Sequence, residues 1–111
     1  MYVAIVHLET PVADHESAKE IGLKSAPNYL AAKDKGLLMK YYLSGETSSG
    51  GIYLWKSRED AEAWYTPEWY KFMKETYSEP TVTFYDSVVQ VDNINDRVLV
   101  DGEPLSDSIS D

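Results

Sequence analysis

The sequence predicts an α+β fold of the ferredoxin-like type, in which a four-stranded antiparallel sheet carries helices on one face. Four apolar segments alternate with helical segments in the order β-α-β-β-α-β, the pattern of the split βαβ fold. The last predicted helix carries an apolar stripe, as a helix packed on a sheet does. With 111 residues, the chain has the length of one domain.

The four predicted strands are rich in β-branched and aromatic residues and are bounded by turn signals. Glycines open the second and third strands, and Pro80 precedes the fourth. The turn-rich segment SGETSSGG (44–51) joins the second strand to the third as a hairpin. The strands are predicted at residues 2–9, 36–44, 50–57 and 81–91.

The first helix is predicted to begin at a capping box formed by Ser17 and Glu20 and to stop at Gly36. Pro27 falls inside this segment. Because proline removes a backbone hydrogen bond and clashes with the preceding turn, we expect the helix to bend near Ser25 and Ala26.

Two further helices are predicted between the third and fourth strands. Ser57 is placed to cap the first of them, and Thr66 with Pro67 begins the second. The second helix repeats apolar residues at one helical face; these are Trp69, Phe72, Met73, Thr76 and Tyr77. Ordinary core packing explains such a stripe, and the lining of a cavity for a flat apolar ligand is the alternative.

The predicted strands are apolar on both faces, whereas a sheet with one wet face alternates apolar and polar residues. In the first strand, Val3 and Ile5 oppose Ala4 and Val6. The helices cover one face, and the other needs a second layer. We therefore predict a homodimer in which two sheets pack face to face into a barrel, since so large an apolar patch would otherwise be exposed.

The chain is predicted to form one domain at residues 1–95, followed by an acidic C-terminal tail at 96–111. The segment DRVLV (96–100) is a candidate for a short strand, and a solvated tail is the alternative.

Composition argues against several classes of partner and site. The net charge of −9 disfavours nucleic acid and anionic membrane, both of which reward clustered Lys and Arg. No apolar run is long enough to span a membrane, and no signal peptide is recognisable. The absence of cysteine excludes disulfides and thiolate metal sites and fits a reducing cytosol, so we expect a cytoplasmic protein.

The segments GLLMKYYL (36–43) and GGIYLWKSREDAEAWY (50–65) resemble the YdhR-like mono-oxygenases of the dimeric α/β-barrel superfamily, which includes the antibiotic-biosynthesis (anthrone-type) mono-oxygenases. His7 also lies where the resembling proteins carry a histidine on the first strand. The resemblance covers about residues 2–93. It implies cofactor-independent oxygenation of a flat aromatic substrate, whose deprotonated form reduces dioxygen directly. The WYTPEWYKF segment and the tail depart from the pattern.

No metal or cofactor is predicted from the motifs. The two histidines form no metal-binding spacing, and no phosphate-binding glycine motif precedes a helix. The candidate catalytic groups are His7 and Asp86. Imidazole titrates near neutral pH, which suits a general base, and a hydrogen-bonded core histidine is the alternative. Asp86 is either a rim residue or a second base.

Aromatic side chains are the candidate substrate-binding residues, because flat rings hold flat ligands and their polar atoms offer hydrogen bonds. For each of them, plain packing is the alternative. The candidates are Tyr29, Tyr41, Tyr53, Trp55, Trp64 and Trp69. Lys40 is interpreted as an edge-strand residue whose amine extends to solvent, and pairing with an acidic group is the alternative. The sequence thus leaves two functions open: a cofactor-free mono-oxygenase acting on a polyketide-like or quinol molecule, and a non-catalytic dimer that binds a small apolar or aromatic ligand or serves as a stress-type module.

Overall fold

The computed structural model describes residues 1–12 and 14–105. Over these residues the chain forms seven strands, three α-helices and a short 3₁₀ turn at Ala32–Lys35. In chain order the elements are β1 (Tyr2–Leu8), α1 (His15–Ala31), β2 (Leu37–Ser44), β3 (Ser49–Trp55), α2 (Arg58–Trp64), α3 (Pro67–Thr76), β4 (Thr81–Asp86), β5 (Val89–Asp92), β6 (Arg97–Val100) and β7 (Glu103–Pro104).

The first four strands form one antiparallel sheet in the order β2-β3-β1-β4. This confirms the predicted α+β class with a four-stranded antiparallel sheet, and the strand order is compatible with a ferredoxin-like arrangement. Ala4 lies opposite Tyr53 on one side and Phe84 on the other. Residues paired in this way share a face of the sheet. The face that carries these three side chains lies against the helices, because Ala4 and Tyr53 belong to the hydrophobic core.

The fourth predicted strand is divided in the structure. β4 ends at Asp86, and the chain then enters a second, three-stranded sheet in the order β5-β6-β7. At the break, the Ser87 N–H donates to the Met1 carbonyl at 2.9 Å. Apolar content alone did not reveal this change of sheet, since Val88 and Val89 continue the apolar pattern.

The second sheet takes in residues on both sides of position 95, where the sequence suggests a boundary. The candidate strand in DRVLV is β6, which pairs with β5 in the register Val91 to Val98 and Asp92 to Arg97. The last part of the predicted tail, 106–111, lies outside the described residues.

The first helix begins earlier than the predicted capping box. Asp14 is its N-cap, and the carboxylate accepts the Ser17 N–H at 2.7 Å. Ser17 therefore lies inside the first turn. Pro27 lies within one uninterrupted helix, so the chain stays helical through Ser25 and Ala26, and the bend there stays a prediction. The other two helices begin as predicted, with Ser57 accepting the Asp60 N–H and Thr66 accepting the Trp69 N–H.

Gly50 allows β1 and β3 to approach closely. Its φ is +150°, a conformation that side-chain-bearing residues rarely adopt, and a Cβ there would collide with the Val6 carbonyl oxygen. The GG motif thus has a steric role in the sheet.

Aromatic rings form the centre of the core between the sheet and the helices. Trp55 is completely buried, and Tyr53 stacks parallel to it with 6.4 Å between ring centroids. The Trp55 indole N–H donates to the Tyr65 hydroxyl at 3.1 Å. Ala61 of α2 is also completely buried, which brings this helix close to the sheet. This packing holds α2 against the sheet, and the hydrogen bond to Tyr65 holds the start of the connection to α3.

Candidate functional site

A cavity of about 430 Å³ lies between the helices and the sheet. Its floor consists of residues of β1, β2 and β3, including Val6, Lys40 and Tyr53, and its walls come from α1 and α3. Ile21 and Phe72 line it while remaining exposed to solvent, so they lie at its mouth. The volume is within the range of ordinary small-molecule sites.

The end of the cavity nearest α2 is walled by aromatic rings. Tyr29 contacts Tyr53 edge-on at 5.6 Å between ring centroids and Trp64 at 5.7 Å. Trp69 of α3 packs edge-on against Tyr65 at 4.8 Å. Edge-to-face packing of this kind holds each ring in a fixed orientation. The cavity therefore has a rigid wall suited to a flat apolar molecule.

Lys40 is the ionisable amine of the cavity lining. Its Nζ lies 3.3 Å from the ring centroid of Tyr29, 4.0 Å from that of Tyr42 and 4.7 Å from that of Tyr53. We call these three rings the tyrosine cage. Burial lowers the pKa of Lys40 from 10.5 to about 7, because the charged form loses its hydration. The ring faces stabilise the ammonium that remains.

The hydroxyls of the cage are linked to each other and to α1. The Tyr53 hydroxyl donates to the Tyr29 hydroxyl at 3.3 Å, and the Tyr42 hydroxyl lies 2.7 Å from Ser25 Oγ. Burial raises the pKa values of Tyr53 and Tyr42, so these phenols stay protonated at neutral pH. The cage thus offers neutral hydroxyl groups beside the amine.

Two indole N–H groups on the cavity wall have no hydrogen-bond partner within the described part of the chain. They belong to Trp64 and Trp69, and both nitrogen atoms are buried. A buried donor without an acceptor costs free energy on the order of 1–3 kcal/mol. A ligand oxygen that reached either nitrogen would remove this cost.

Four of the predicted substrate-binding residues line this one cavity; they are Tyr29, Tyr53, Trp64 and Trp69. The other two do not. Trp55 lies in the core beneath Tyr53, where it is fully enclosed. Tyr41 alternates with Lys40 along β2 and pairs with Ile52, which places it on the sheet face away from the helices, half exposed.

The two predicted catalytic residues lie apart from the cavity and from each other. His7 pairs with Gly50 and Thr81, and alternation along β1 places it on the sheet face away from the helices. Its Nε2 lies 3.2 Å from Glu9 Oε1, and the side chain is 48% exposed. Asp86 is exposed at the end of β4, opposite Tyr2. The two positions are five residue steps apart along β1, roughly 17 Å.

Sequence reasoning missed Lys40 and Tyr42 as site residues. Both face the helices, as their pairing with Tyr53 and Gly51 requires. The available signal was alternation: Lys40 and Tyr42 share one face of β2, and Lys40 is the charged residue of an otherwise uncharged strand. A bulge between Leu37 and Met39 shifts the register, so the face of Lys40 could not be read from the strand's first residue.

No cluster of three or more potential metal-ligating side chains occurs among residues 1–12 and 14–105. In the same residues no helix is both long and apolar enough to cross a lipid bilayer. No protein-family model matches the chain, and a search of curated proteins finds no similar sequence.

Proposed function

We propose that the protein binds a flat, largely apolar small molecule that carries an oxygen atom, in the cavity between the helices and the sheet. The observation that carries the proposal is the combination of an aromatic-walled cavity of about 430 Å³ with a single amine, Lys40, in its floor. Apolar pockets with a few convergent polar groups are the usual form of small-molecule sites.

The shape of the wall and the polarity of the floor support this class of ligand. Rings held edge-on leave their faces and edges for stacking with another flat ring system. Lys40 donates a hydrogen bond to a ligand oxygen when it is charged and accepts one from a phenol when it is neutral. Ligand burial also fills a space that is otherwise poorly packed.

Calorimetric titration with 2-hydroxyanthraquinone, a flat phenol, tests the proposal. Ala18 lines the cavity, so Ala18→Phe fills it. Ala31, at the exposed end of the same helix, provides the matched control Ala31→Phe. We expect saturable binding to the wild type and the control, and at least a tenfold loss in Ala18→Phe. Equal binding to all three proteins, or to none, contradicts the proposal.

We also propose that two copies of the chain form a ferredoxin-like dimeric barrel by packing together the sheet faces that point away from the helices. This face carries apolar side chains that no described element of the chain covers fully; they are Val3, Ile5, Met39, Tyr41, Leu43, Ile52, Leu54 and Tyr85. A second copy packed sheet to sheet removes this surface from water, at about 25 cal/mol per Å² of apolar area.

The mass in solution tests the dimer. Light scattering at micromolar concentration is expected to give twice the chain mass. Ile5→Glu, in a central strand of the open face, is expected to give monomers, while Leu23→Glu, on an exposed part of α1, remains dimeric. A monomeric wild type refutes the dimer.

Cofactor-independent oxygenation is a second candidate function for the same cavity. The observation in its favour is the Lys40 amine, which is half neutral near pH 7 and so accepts a proton from an acidic phenol or anthrone. The substrate anion then reduces dioxygen: one oxygen atom enters the substrate, and the other leaves as water with the two hydrogens that the substrate has lost. His7, on the other sheet face, has no part in this version of the mechanism.

Oxygen consumption with a panel of anthrones and hydroquinones tests the oxygenase. We expect wild-type turnover to fall at least a hundredfold in Lys40→Met and to persist in His7→Ala. Loss of turnover in His7→Ala with retention in Lys40→Met assigns the base to His7. No turnover above background with any substrate, alongside calorimetric binding, leaves a non-catalytic binding protein.

A further inference from the structure

Lys40 differs from the exposed lysines of the chain in its surroundings, because its amine lies among three tyrosine rings and is largely buried. Among residues 1–12 and 14–105 the ion pairs involve His7, Arg58 and Arg97 as the basic residues, and none includes Lys40. Its Nζ is surrounded by ring faces. A carboxylate would hold the amine in its charged form, whereas desolvation works against that form.

The neutral form of Lys40 is therefore accessible near neutral pH. With its pKa at about 7, roughly half of the amines carry a free lone pair at that pH. An exposed lysine with a pKa near 10.4 has about one neutral amine in two thousand at pH 7. Desolvated lysines in apolar pockets are a known source of amine nucleophiles.

We propose that Lys40 forms an imine with an aldehyde or ketone group of a flat apolar ligand bound in the cavity. The proposal rests on the proposed function, because it requires that the cavity hold the ligand, and it names the ligand's class as a carbonyl compound. Lys40 lies on the edge strand β2 and in the floor of the cavity, so its amine lies beside a ligand bound there.

The reaction needs no co-reactant. The Lys40 lone pair attacks the carbonyl carbon, and the carbonyl oxygen takes up a proton to give a carbinolamine. The carbinolamine then loses water as the C–O bond breaks and the C=N bond forms. The amine's two protons and the carbonyl oxygen leave together as that water. The linked hydroxyls of Tyr29 and Tyr53 belong to rings of the cage and serve to relay these protons.

The cage also favours the product. The neutral imine takes up one proton from water, and the cation that results lies in the place of the ammonium and retains the attraction of the ring faces. The ligand's rings then extend along the aromatic wall toward Trp64 and Trp69. A ligand that fills the cavity displaces water from it, and this slows hydrolysis of the imine.

Reductive trapping tests the proposal. The probe is 2-naphthaldehyde with sodium cyanoborohydride at pH 7, which converts an imine into a stable secondary amine, and peptide mass spectrometry then locates the label. We expect Lys40 to be labelled at least tenfold faster than the other lysines of the chain, with a rate that rises through a midpoint near pH 7. Glyceraldehyde, a polar aldehyde, is expected to show no such preference.

Variants distinguish this inference from the underlying binding function. Lys40→Arg forms no imine, so it is expected to lose the label at position 40, while calorimetric titration of the wild-type protein with 2-hydroxyanthraquinone reports on binding alone. Uniform labelling of all lysines, while the calorimetric binding persists, overturns the imine and leaves the binding function standing. Selective labelling of Lys40 that Ala18→Phe leaves unchanged also overturns the proposal, because the amine would then react outside the cavity.

Discussion

The buried amine of Lys40 predicts a specific dependence of stability on pH. Folding lowers its pKa from 10.5 to about 7. Between these values the unfolded chain keeps a proton that the native protein has released, so the free energy of unfolding rises with pH. Below pH 7 both states are protonated and this contribution becomes constant.

The size of the effect follows from the same two values. One proton difference corresponds to about 1.4 kcal/mol per pH unit, and the native amine is only half deprotonated at pH 7. From pH 7 to pH 9 the free energy of unfolding is therefore expected to rise by about 2 kcal/mol. This is an upper figure, because partial exposure and the tyrosine rings both favour the ammonium.

Urea unfolding followed by tryptophan fluorescence at pH 7, 8 and 9 measures this dependence. Lys40→Met keeps an unbranched side chain of similar length and removes the titrating amine. The rise is expected to disappear in that variant and to persist in Lys24→Met, whose lysine is exposed on α1. Subtracting the free energy of unfolding of each variant from that of the wild type at the same pH removes the contributions of the histidines and the N-terminus. If Lys40→Met and the wild type show the same pH dependence, the amine is not buried as described.

Two further predictions concern the framework that holds the cavity. Trp55→Phe removes the indole N–H that donates to the Tyr65 hydroxyl and leaves a void in a fully buried place, so it is expected to lower the free energy of unfolding by about 2–3 kcal/mol in urea titrations. Tyr65→Phe leaves the same N–H without an acceptor but opens almost no void, so it is expected to cost less, about 1–2 kcal/mol. A larger cost for Tyr65→Phe than for Trp55→Phe would contradict this account of the packing. Gly50→Ala forces a Cβ into the backbone of β1 and is expected to abolish the cooperative thermal transition. The control Gly102→Ala meets open space and is expected to lower the free energy of unfolding by about 1 kcal/mol because of its positive φ. A well-folded Gly50→Ala variant would show that β1 and β3 are farther apart.

The fold was predictable where local signals and periodicity agree. Ser57 and Thr66 mark helix starts because their hydroxyls accept backbone N–H groups in the first turn. Asp14 was missed as a cap because Ser17 and Glu20 offer an equally good local pattern one turn later. The end of β4 was missed because no proline or glycine marks it.

The candidate site was predictable only in part, because its composition depends on which face of each strand meets the helices. The aromatic criterion selected Tyr29, Tyr53, Trp64 and Trp69, which line one cavity, and their role in binding a substrate stays a prediction. The same criterion included Trp55, which is packed in the core, because the sequence does not distinguish an aromatic residue that lines a cavity from one that is fully packed. The face of Lys40 depends on a β-bulge, and this is a property of pairing with β3 that β2 alone does not contain.

Methyl NMR of protein labelled with ¹³C-methyl methionine tests the central claim most directly. Met73 lines the cavity, whereas Met39 and Met1 lie outside its lining. On titration with 2-hydroxyanthraquinone, we expect the Met73 methyl resonance to shift in a saturable manner while that of Met1 stays in place. A ligand that shifts only Met39 binds the outer side of the sheet edge. That result, or three unmoved resonances at saturating ligand, would contradict a binding site between the helices and the sheet.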